Sequence, residues 1–441
     1  MTRVALLPSS YPPSLGGVEE LTRHLALSLR AAGDEVEVWT GHPDDGVPET
    51  VEILDGIVVR RLPMPLPATH WSAVRRSAVT GTRSLLSLRS AVAAFRPDVL
   101  HVQCFGPNGV YAHALSRLTG LPLVVTLQGE TLMDDTDIFD ASRVLRTSLR
   151  AALRTAAAVT GCSAFTLADA EKRFGLAPGR GRVIPNGVDL FEAGTGPSDV
   201  HSNGRSGPFA TVQDGPDGPY ILALGRVVEK KGFDLLLAAY AALDETARTA
   251  DLVVGGQGEA MAGLRHTASA LGITDRVHFV GRLSRQEVAE AMAGATLFVM
   301  PSRLEPFGIV ILEAWRAGAP VVATNRGGPP EFVRDGNDGV LVDPFDTTAF
   351  ACVLESLLLD PDRRRRVGDA GYLRVRSFGW VDIAERYREV YSSVAGPRGA
   401  GARPLDEPLD GRPLDDRPLD EPLDDRPLDD RAPAHQGRSV R

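Results

Sequence analysis

The chain of 441 residues is 43% hydrophobic and 24% charged, the balance of a globular protein with room for two or three ordinary domains. That composition excludes collagen-like, disulfide-stapled and wholly disordered chains. The three scattered cysteines, Cys104, Cys162 and Cys352, suggest neither a disulfide framework nor a zinc cluster. No apolar run approaches the ~18–20 residues of a membrane span, and Val4–Leu7 is too short for the core of a signal peptide, so a cytoplasmic location is expected. Of the net charge of −9, residues 403–431 carry −6, with five Arg against eleven Asp or Glu. The remaining −3 is too balanced for a dedicated nucleic-acid binder. The basic residues are 45 Arg and three Lys (Lys172, Lys230 and Lys231), a ratio that points to a high-GC genome and makes each lysine worth locating.

In chain order, Val4–Leu7 reads as a strand and leads through a turn-rich stretch to Gly16-Gly17. Apolar spacing from Val18 to Arg30, stopped at Gly33, predicts a helix, and the alternation from Glu35 to Trp39 predicts a strand. Val99–Val102, Leu123–Leu127 and Val159–Cys162 repeat the strand signal, each after a helix-like segment. Such alternation predicts βαβ units and a parallel sheet. Gly and Pro dominate residues 191–219, which read as a linker or long surface loop. The alternation then restarts with strands at Tyr220–Leu224, Leu252–Val254, Val277–Val280, Leu297–Met300 and Val321–Ala323, and Ala351–Val394 is mostly helical. Pro-Leu-Asp recurs six times, from Pro404, Pro408, Pro413, Pro418, Pro422 and Pro427. Prolines at that spacing forbid a continuous helix, and one leucine per repeat cannot build a core, so 396–441 is expected to be a disordered tail.

Three constellations carry chemistry. The strongest is Pro301-Ser-Arg-Leu-Glu305-Pro-Phe-Gly308-Ile-Val-Ile-Leu-Glu313, a strand end running into a helix start. The free N–H groups and positive dipole end of such a helix suit a phosphate. Glu305 before the helix and Glu313 inside it can accept from different hydroxyls of one polyol ligand; the bland reading is a capping acid and a solvated glutamate. The second is Gly225-Arg226-Val-Val-Glu-Lys230-Lys231-Gly232, also after a strand. Arg226 can fork two phosphate oxygens and Lys231 supplies a compact charge, so this loop suits a diphosphate; its other reading is an ordinary basic loop and helix start. The third is Gly16-Gly17-Val18-Glu19, a glycine turn at a helix start. It is neither Gly-x-Gly-x-x-Gly nor a P-loop, which removes support for hydride transfer and P-loop hydrolysis.

Taken with Pro97-Asp98-Val-Leu-His101, Pro185-Asn186-Gly187-Val188-Asp189, Gly255-Gly-Gln-Gly258-Glu259, Val277-His-Phe-Val-Gly281 and Gly327-Gly328 with Glu331, these motifs resemble a retaining glycosyltransferase of family 4 over residues 3–395. The resemblance implies the GT-B architecture: an α/β protein with two Rossmann-like domains facing across a cleft and a C-terminal helix returning to the first. The expected boundaries are an acceptor-side domain at 1–190, the linker at 191–219, a nucleotide-sugar domain at 220–378, the returning helix at 379–395 and the tail beyond. By the same resemblance, Arg226 and Lys231 neutralise the diphosphate of a nucleoside-diphosphate sugar and Glu313 accepts from the ribose. Glu305, with the backbone of Phe307, Gly308 and Ile309, holds the sugar and distal phosphate. Gly17 closes over the diphosphate, and Gly281 and Arg282 lie near the base. Glu305, Arg226 and Lys231 are the expected catalytic set, with no metal, cofactor or protein nucleophile.

One departure stands out. The family often carries a histidine where this chain has Gln128, in Thr126-Leu127-Gln128-Gly129-Glu130. A glutamine can donate to a sugar hydroxyl but carries no proton near neutral pH. His101 is the nearest alternative on the acceptor side; its other reading is a strand-end histidine in structural hydrogen bonds. Between Gly56 and Pro97 there are seven Arg and no acid, and Trp71–Phe95 has helical apolar spacing. That segment reads either as a contact for an anionic acceptor or the inner membrane surface, or as a solvated face. A second stripe, Arg143, Arg146, Arg150 and Arg154, lines either the cleft or an exposed face. The acceptor is a lipid, polysaccharide, cyclitol or natural product. A nucleotide-sugar epimerase and a non-catalytic sugar-nucleotide binder are the competing functions; release of nucleoside diphosphate and the identity of the sugar product discriminate them.

Overall fold

The structure is a computed structural model that describes residues 1–14, 16–42, 49–65, 71–133, 138–190, 216 and 218–395, with backbone alone over 71–80. The tail at 396–441 and nearly all of the expected linker, 191–215 and 217, lie outside the described residues.

Two sheets organise the chain. The first holds β1 Arg3–Pro8, β2 Glu35–Gly41, β3 Thr50–Leu54, β4 Ile57–Leu62, β5 Val99–Gln103, β6 Leu123–Leu127, β7 Ala158–Gly161 and β8 Gly181–Val183. Its order is β3-β4-β2-β1-β5-β6-β7-β8. All neighbours are parallel except β3 and β4, which form an antiparallel hairpin. The hairpin turns at Asp55-Gly56, both with positive φ (51° and 76°), the conformation a two-residue hairpin loop requires. The second sheet holds β9 Tyr220–Leu224, β10 Asp251–Gly255, β11 Val277–Gly281, β12 Leu297–Met300, β13 Val321–Thr324 and β14 Val340–Val342. Its order is β11-β10-β9-β12-β13-β14, parallel throughout. Helices cover both faces of the central strands. Val4, Ala5, Leu6 and Leu7 are therefore fully buried, and the strands read as unbroken apolar runs.

The first sheet has two separate cores. On one face the helices Trp71–Phe95, Pro107–Thr119 and Arg143–Thr155 bury Leu88, Tyr111, Leu115, Leu145 and Leu149. On the other, the helix Gly17–Ala31 packs with the C-terminal helix Trp380–Val394, which contributes Trp380, Ile383, Tyr387, Val390 and Tyr391. The last four are at most 2% exposed, so this helix completes the first lobe although it follows the second in sequence. The return is anchored at the Pro185–Asp189 motif. The Val188 amide donates to the Phe378 carbonyl at 2.9 Å. Gly187 lies under the Trp380 ring, where a Cβ would stand 2.7 Å from a ring carbon. The loops that follow β6 and β12 meet where Gly129 abuts the Pro306 ring, at the carboxyl ends of the strands, where ligands bind in sheets of this kind.

Candidate active site

The centre of the site is built by two loops that backbone contacts press together. After β9 the chain makes a short 3-10 turn, Glu229–Lys231, that ends at Gly232 with φ 67°. A Cβ at Gly232 would stand 2.1 Å from the Pro301 carbonyl oxygen, so only glycine lets this turn lie against the loop that follows β12. The Arg303 amide donates to the Lys230 carbonyl at 3.0 Å, and both guanidinium Nη atoms of Arg303 reach the Asp234 carboxylate at 2.8 Å. Lys231 is thereby delivered to Glu305, with Nζ 2.6 Å from Oε2. Ser302 Oγ donates to the same oxygen at 2.9 Å. Glu305 is 7% exposed, and enclosing a carboxylate is costly unless a cation and hydrogen-bond donors pair with it.

The Glu305 backbone is fixed as firmly as its side chain. Its amide donates to the Arg326 carbonyl at 3.0 Å, and its carbonyl accepts from the Gly328 amide at 2.8 Å. Gly327, at φ 110°, has no room for a side chain; a Cβ would stand 2.1 Å from the Glu305 carbonyl oxygen. Gly308, at φ 94°, caps the helix Ile309–Arg316, where its own Cβ would press on Met300 Sδ at 3.0 Å. Phe307 is buried and stacks on Phe332, ring centroids 4.6 Å apart. Across the cleft, the Ile309 δ-methyl lies 3.7 Å from the place a Cβ on Gly17 would occupy. Gly17 therefore faces the head of this helix, and two helix N-termini converge on one space. Glu313 is half-buried inside the helix, and Arg226 and Arg282 are exposed at the ends of β9 and β11.

Several residues that join the lobes were not assigned roles by the sequence. Ser163 Oγ donates to the Pro306 carbonyl at 2.7 Å. Gly129, at φ 86°, abuts the Pro306 ring, which a Cβ would approach to 2.3 Å. The Glu331 carboxylate accepts from the amides of Ala164 and Phe165 at 2.6 and 2.7 Å, and Arg285 pairs with Glu20. Ser302 lies inside the strongest motif, three residues before Glu305, where a lone serine carries no sequence signal of its own.

On the acceptor side the expectation for His101 needs correction. Its ring is fully buried. Nδ1 bonds the Tyr391 hydroxyl and Nε2 the Thr126 hydroxyl, each at 2.7 Å. Burial pushes its pKa down to about 3, so the imidazole is neutral and structural, and it presents no nitrogen to the cleft. Gln128 does stand at the end of β6. Its Nε2 donates to Gln103 Oε1 at 3.2 Å, while its own Oε1 is buried with no partner among the described residues. Glu130 holds this corner together, accepting from the amides of Phe105 at 2.6 Å and Gln128 at 2.7 Å. Burial raises its carboxyl to about 7 against the lowering effect of those amides. The arginine stripe of the helix Arg143–Thr155 lies on a surface face, with Arg143, Arg150 and Arg154 exposed. Among the described residues no three His, Cys, Asp or Glu side chains cluster as metal ligands would.

Comparison with known proteins identifies the family and the fold. The family described as glycosyl transferase 4-like domain matches residues 16–187, and the family described as glycosyl transferases group 1 matches residues 211–374. The D-inositol 3-phosphate glycosyltransferase of Streptomyces coelicolor is 31% identical over 425 residues, which span 89% of this chain and 92% of the relative. The glycogen synthase of Mycobacterium tuberculosis is 28% identical over 90% of this chain and 95% of its own. Among solved structures, Anabaena Alr3699/HepE in complex with UDP and glucose has a TM-score of 0.70 at 22% identity, covering 89% of this chain and all of the other, a likeness of fold. A relative above 30% identity along nearly the whole chain, with both halves matched separately, settles the assignment: the protein belongs to the GT-B glycosyltransferases that join a 4-like domain to a group 1 domain.

Proposed function

We propose that this glycosyltransferase moves a hexose from a UDP- or GDP-linked donor to an acceptor hydroxyl with retention of anomeric configuration. The observation that carries the reading is the Lys231–Glu305–Ser302 cluster, with a half-buried lysine on a buried carboxylate, at the head of the helix Ile309–Arg316, opposite Gly17. A lysine held there by one carboxylate contact keeps two N–H donors for a diphosphate. Arg226 supplies a second cation, and the backbone of Phe307, Gly308 and Ile309 lies at the helix N-terminus, where a distal phosphate is favoured. Glu313 accepts from the ribose hydroxyls, Arg282 lies near the base, and Glu305 also accepts from the sugar.

In the proposed step the acceptor oxygen bonds to the anomeric carbon on the face from which the diphosphate departs. The bond from that carbon to the phosphate oxygen breaks, its electron pair stays with the diphosphate, and the acceptor proton passes to that phosphate oxygen. Negative charge grows on the leaving group, so fixed cations lower the barrier more than they stabilise the bound donor. Gln128 orients a hydroxyl through its amide and takes no proton. UDP-glucose is the first donor to test, because UDP and glucose occupy the HepE structure, and inositol 3-phosphate the first acceptor, after the Streptomyces relative's name. The test is a panel of UDP- and GDP-sugars with phosphorylated cyclitol, glucan and lipid acceptors, followed by NMR of the product. A product of inverted configuration refutes retention, and an epimerised donor without transfer refutes the transferase reading.

A further inference from the structure

Phe345 lies in the loop between β14 and the helix Thr347–Leu358 and is 50% exposed. Two guanidinium groups lie against its ring. The Cζ atom of Arg326 is 4.7 Å from the ring centroid and that of Arg303 is 5.6 Å from it, within the reach of a cation–π contact. Each guanidinium is also gripped by a carboxylate through two bonds. Arg326 reaches Asp343 through Nε and Nη2, both at 2.7 Å, and Arg303 reaches Asp234 through its two Nη atoms, both at 2.8 Å. Asp343 in turn accepts from the Phe345 amide at 3.0 Å. Forked pairs of this kind fix the plane of a guanidinium, but half-exposed ion pairs are individually weak. The ring joins the two pairs into one cluster. It gathers the loops after β12, β13 and β14 and the first turn of the helix Phe233–Ala241.

The main chains of the same two arginines hold the centre of the site. The Arg326 carbonyl accepts from the Glu305 amide at 3.0 Å, and the Arg303 amide donates to the Lys230 carbonyl at 3.0 Å. Arg303 Nε also lies 3.9 Å from Glu229, in the turn that carries Lys231. The Lys231 ammonium and the Glu305 carboxylate, 2.6 Å apart, therefore stand on two segments that are each bonded to an arginine braced on Phe345.

We infer that Phe345 is a positioning residue for the transfer: its ring sets the two arginines and, through their main chains, the approach of Lys231 to Glu305. The inference rests on the role proposed above for Lys231 at the diphosphate. It requires an aromatic face, because an aliphatic side chain of similar size offers no quadrupole to a cation. A ring that served stability alone would act on melting, and on rate equally with or without Lys231.

The experiment measures nucleoside-diphosphate release by the full chain across the donor panel, with Phe345→Ala, Phe345→Leu and Phe345→Tyr, each shown by melting to be folded. Phe345→Ala should lower kcat at least about tenfold, as a small misplacement of a reacting group does. Donor KM should change less than about twofold, because the affected contact strengthens in the transition state. Phe345→Tyr keeps the aromatic face and should stay within about twofold of the parent, whereas Phe345→Leu should resemble Phe345→Ala. In a Lys231→Ala background, Phe345→Ala should add less than about a twofold loss, since groups that act as a unit are not additive. A second readout needs no turnover. Reductive methylation with 13C-formaldehyde leaves lysines charged, and the chain has three of them. The Lys231 signal, identified with Lys231→Arg, should move in Phe345→Ala and not in Phe345→Tyr, while the Lys172 signal stays in place. Parental kcat in Phe345→Ala overturns the inference, as does an equal loss with and without Lys231 or an unmoved Lys231 signal. A moved Lys231 signal in a chain that releases nucleoside diphosphate from no donor supports the brace and refutes the proposed transfer instead.

Discussion

Lys231 is one of three lysines in a chain with 45 arginines, and it lies 2.6 Å from the buried carboxylate of Glu305. If it stabilises charge on a departing diphosphate, Lys231→Ala should lower turnover at least tenfold, because one such contact contributes on the order of 2–4 kcal/mol to the transition state. Release of nucleoside diphosphate measures this, and near-normal turnover contradicts the role. Two buried groups make opposite predictions about pH. His101 titrates at about 3 in the fold against 6.5 ordinarily, so between those values the unfolded chain binds the additional proton. Its contribution to stability is present above 6.5 and is lost as pH falls through that window. Glu130 is raised from 4.5 to about 7, so there the folded chain holds the additional proton. Its contribution is full below 4.5 and is lost as pH rises towards 7. Urea midpoints measured from pH 4.5 to 8 should show a shallower acid-side loss for His101→Asn and a shallower loss towards neutrality for Glu130→Gln. Unchanged slopes in both variants contradict the two assignments.

At the scale of elements, the central strands were legible because parallel strands covered on both faces must be apolar throughout. β14 and β8, three residues each, give no periodicity to read. The β3–β4 hairpin escaped because β3 is largely exposed; its signal was the Asp55-Gly56 turn between Leu54 and Ile57. The loop holding Glu305 was found from the spacing of its acids and its glycine, yet Gly327, which fixes its backbone, is far along the chain. Gly327→Ala should push the Glu305 carbonyl away and reduce turnover more than tenfold, since misplacing a reacting group by about 1 Å costs on the order of a hundredfold. Comparing kcat with the melting temperature tests this: a change confined to melting would assign Gly327 to stability alone. His101 shows where local reading stops. Its partner Tyr391 is 290 residues away, and nothing within β5 announces a hydroxyl brought back by the last helix.

At the scale of the whole molecule, the lobes are held by a few specific contacts, and Glu331 supplies the most directional. It bonds two consecutive amides of a segment 167 and 166 residues earlier. Glu331→Ala removes both bonds and should open the lobes in solution, giving a larger radius of gyration by small-angle scattering than the parent chain; identical scattering profiles contradict the latch. The return of the C-terminal helix bears on how the protein is made. The first lobe leaves the ribosome as the first 190 residues, but Trp380, Ile383, Tyr387 and Tyr391, which pack into one of its two cores, are translated almost 200 residues later. Until then the helix Gly17–Ala31 and the inner ends of β1 and β5 have an open apolar surface. Domains that fold as they emerge are the common pattern; here the lobe synthesised first is the lobe finished last. Nascent chains stalled at Phe378 should remain open to protease across residues 1–190, and become resistant once Val394 has cleared the exit tunnel.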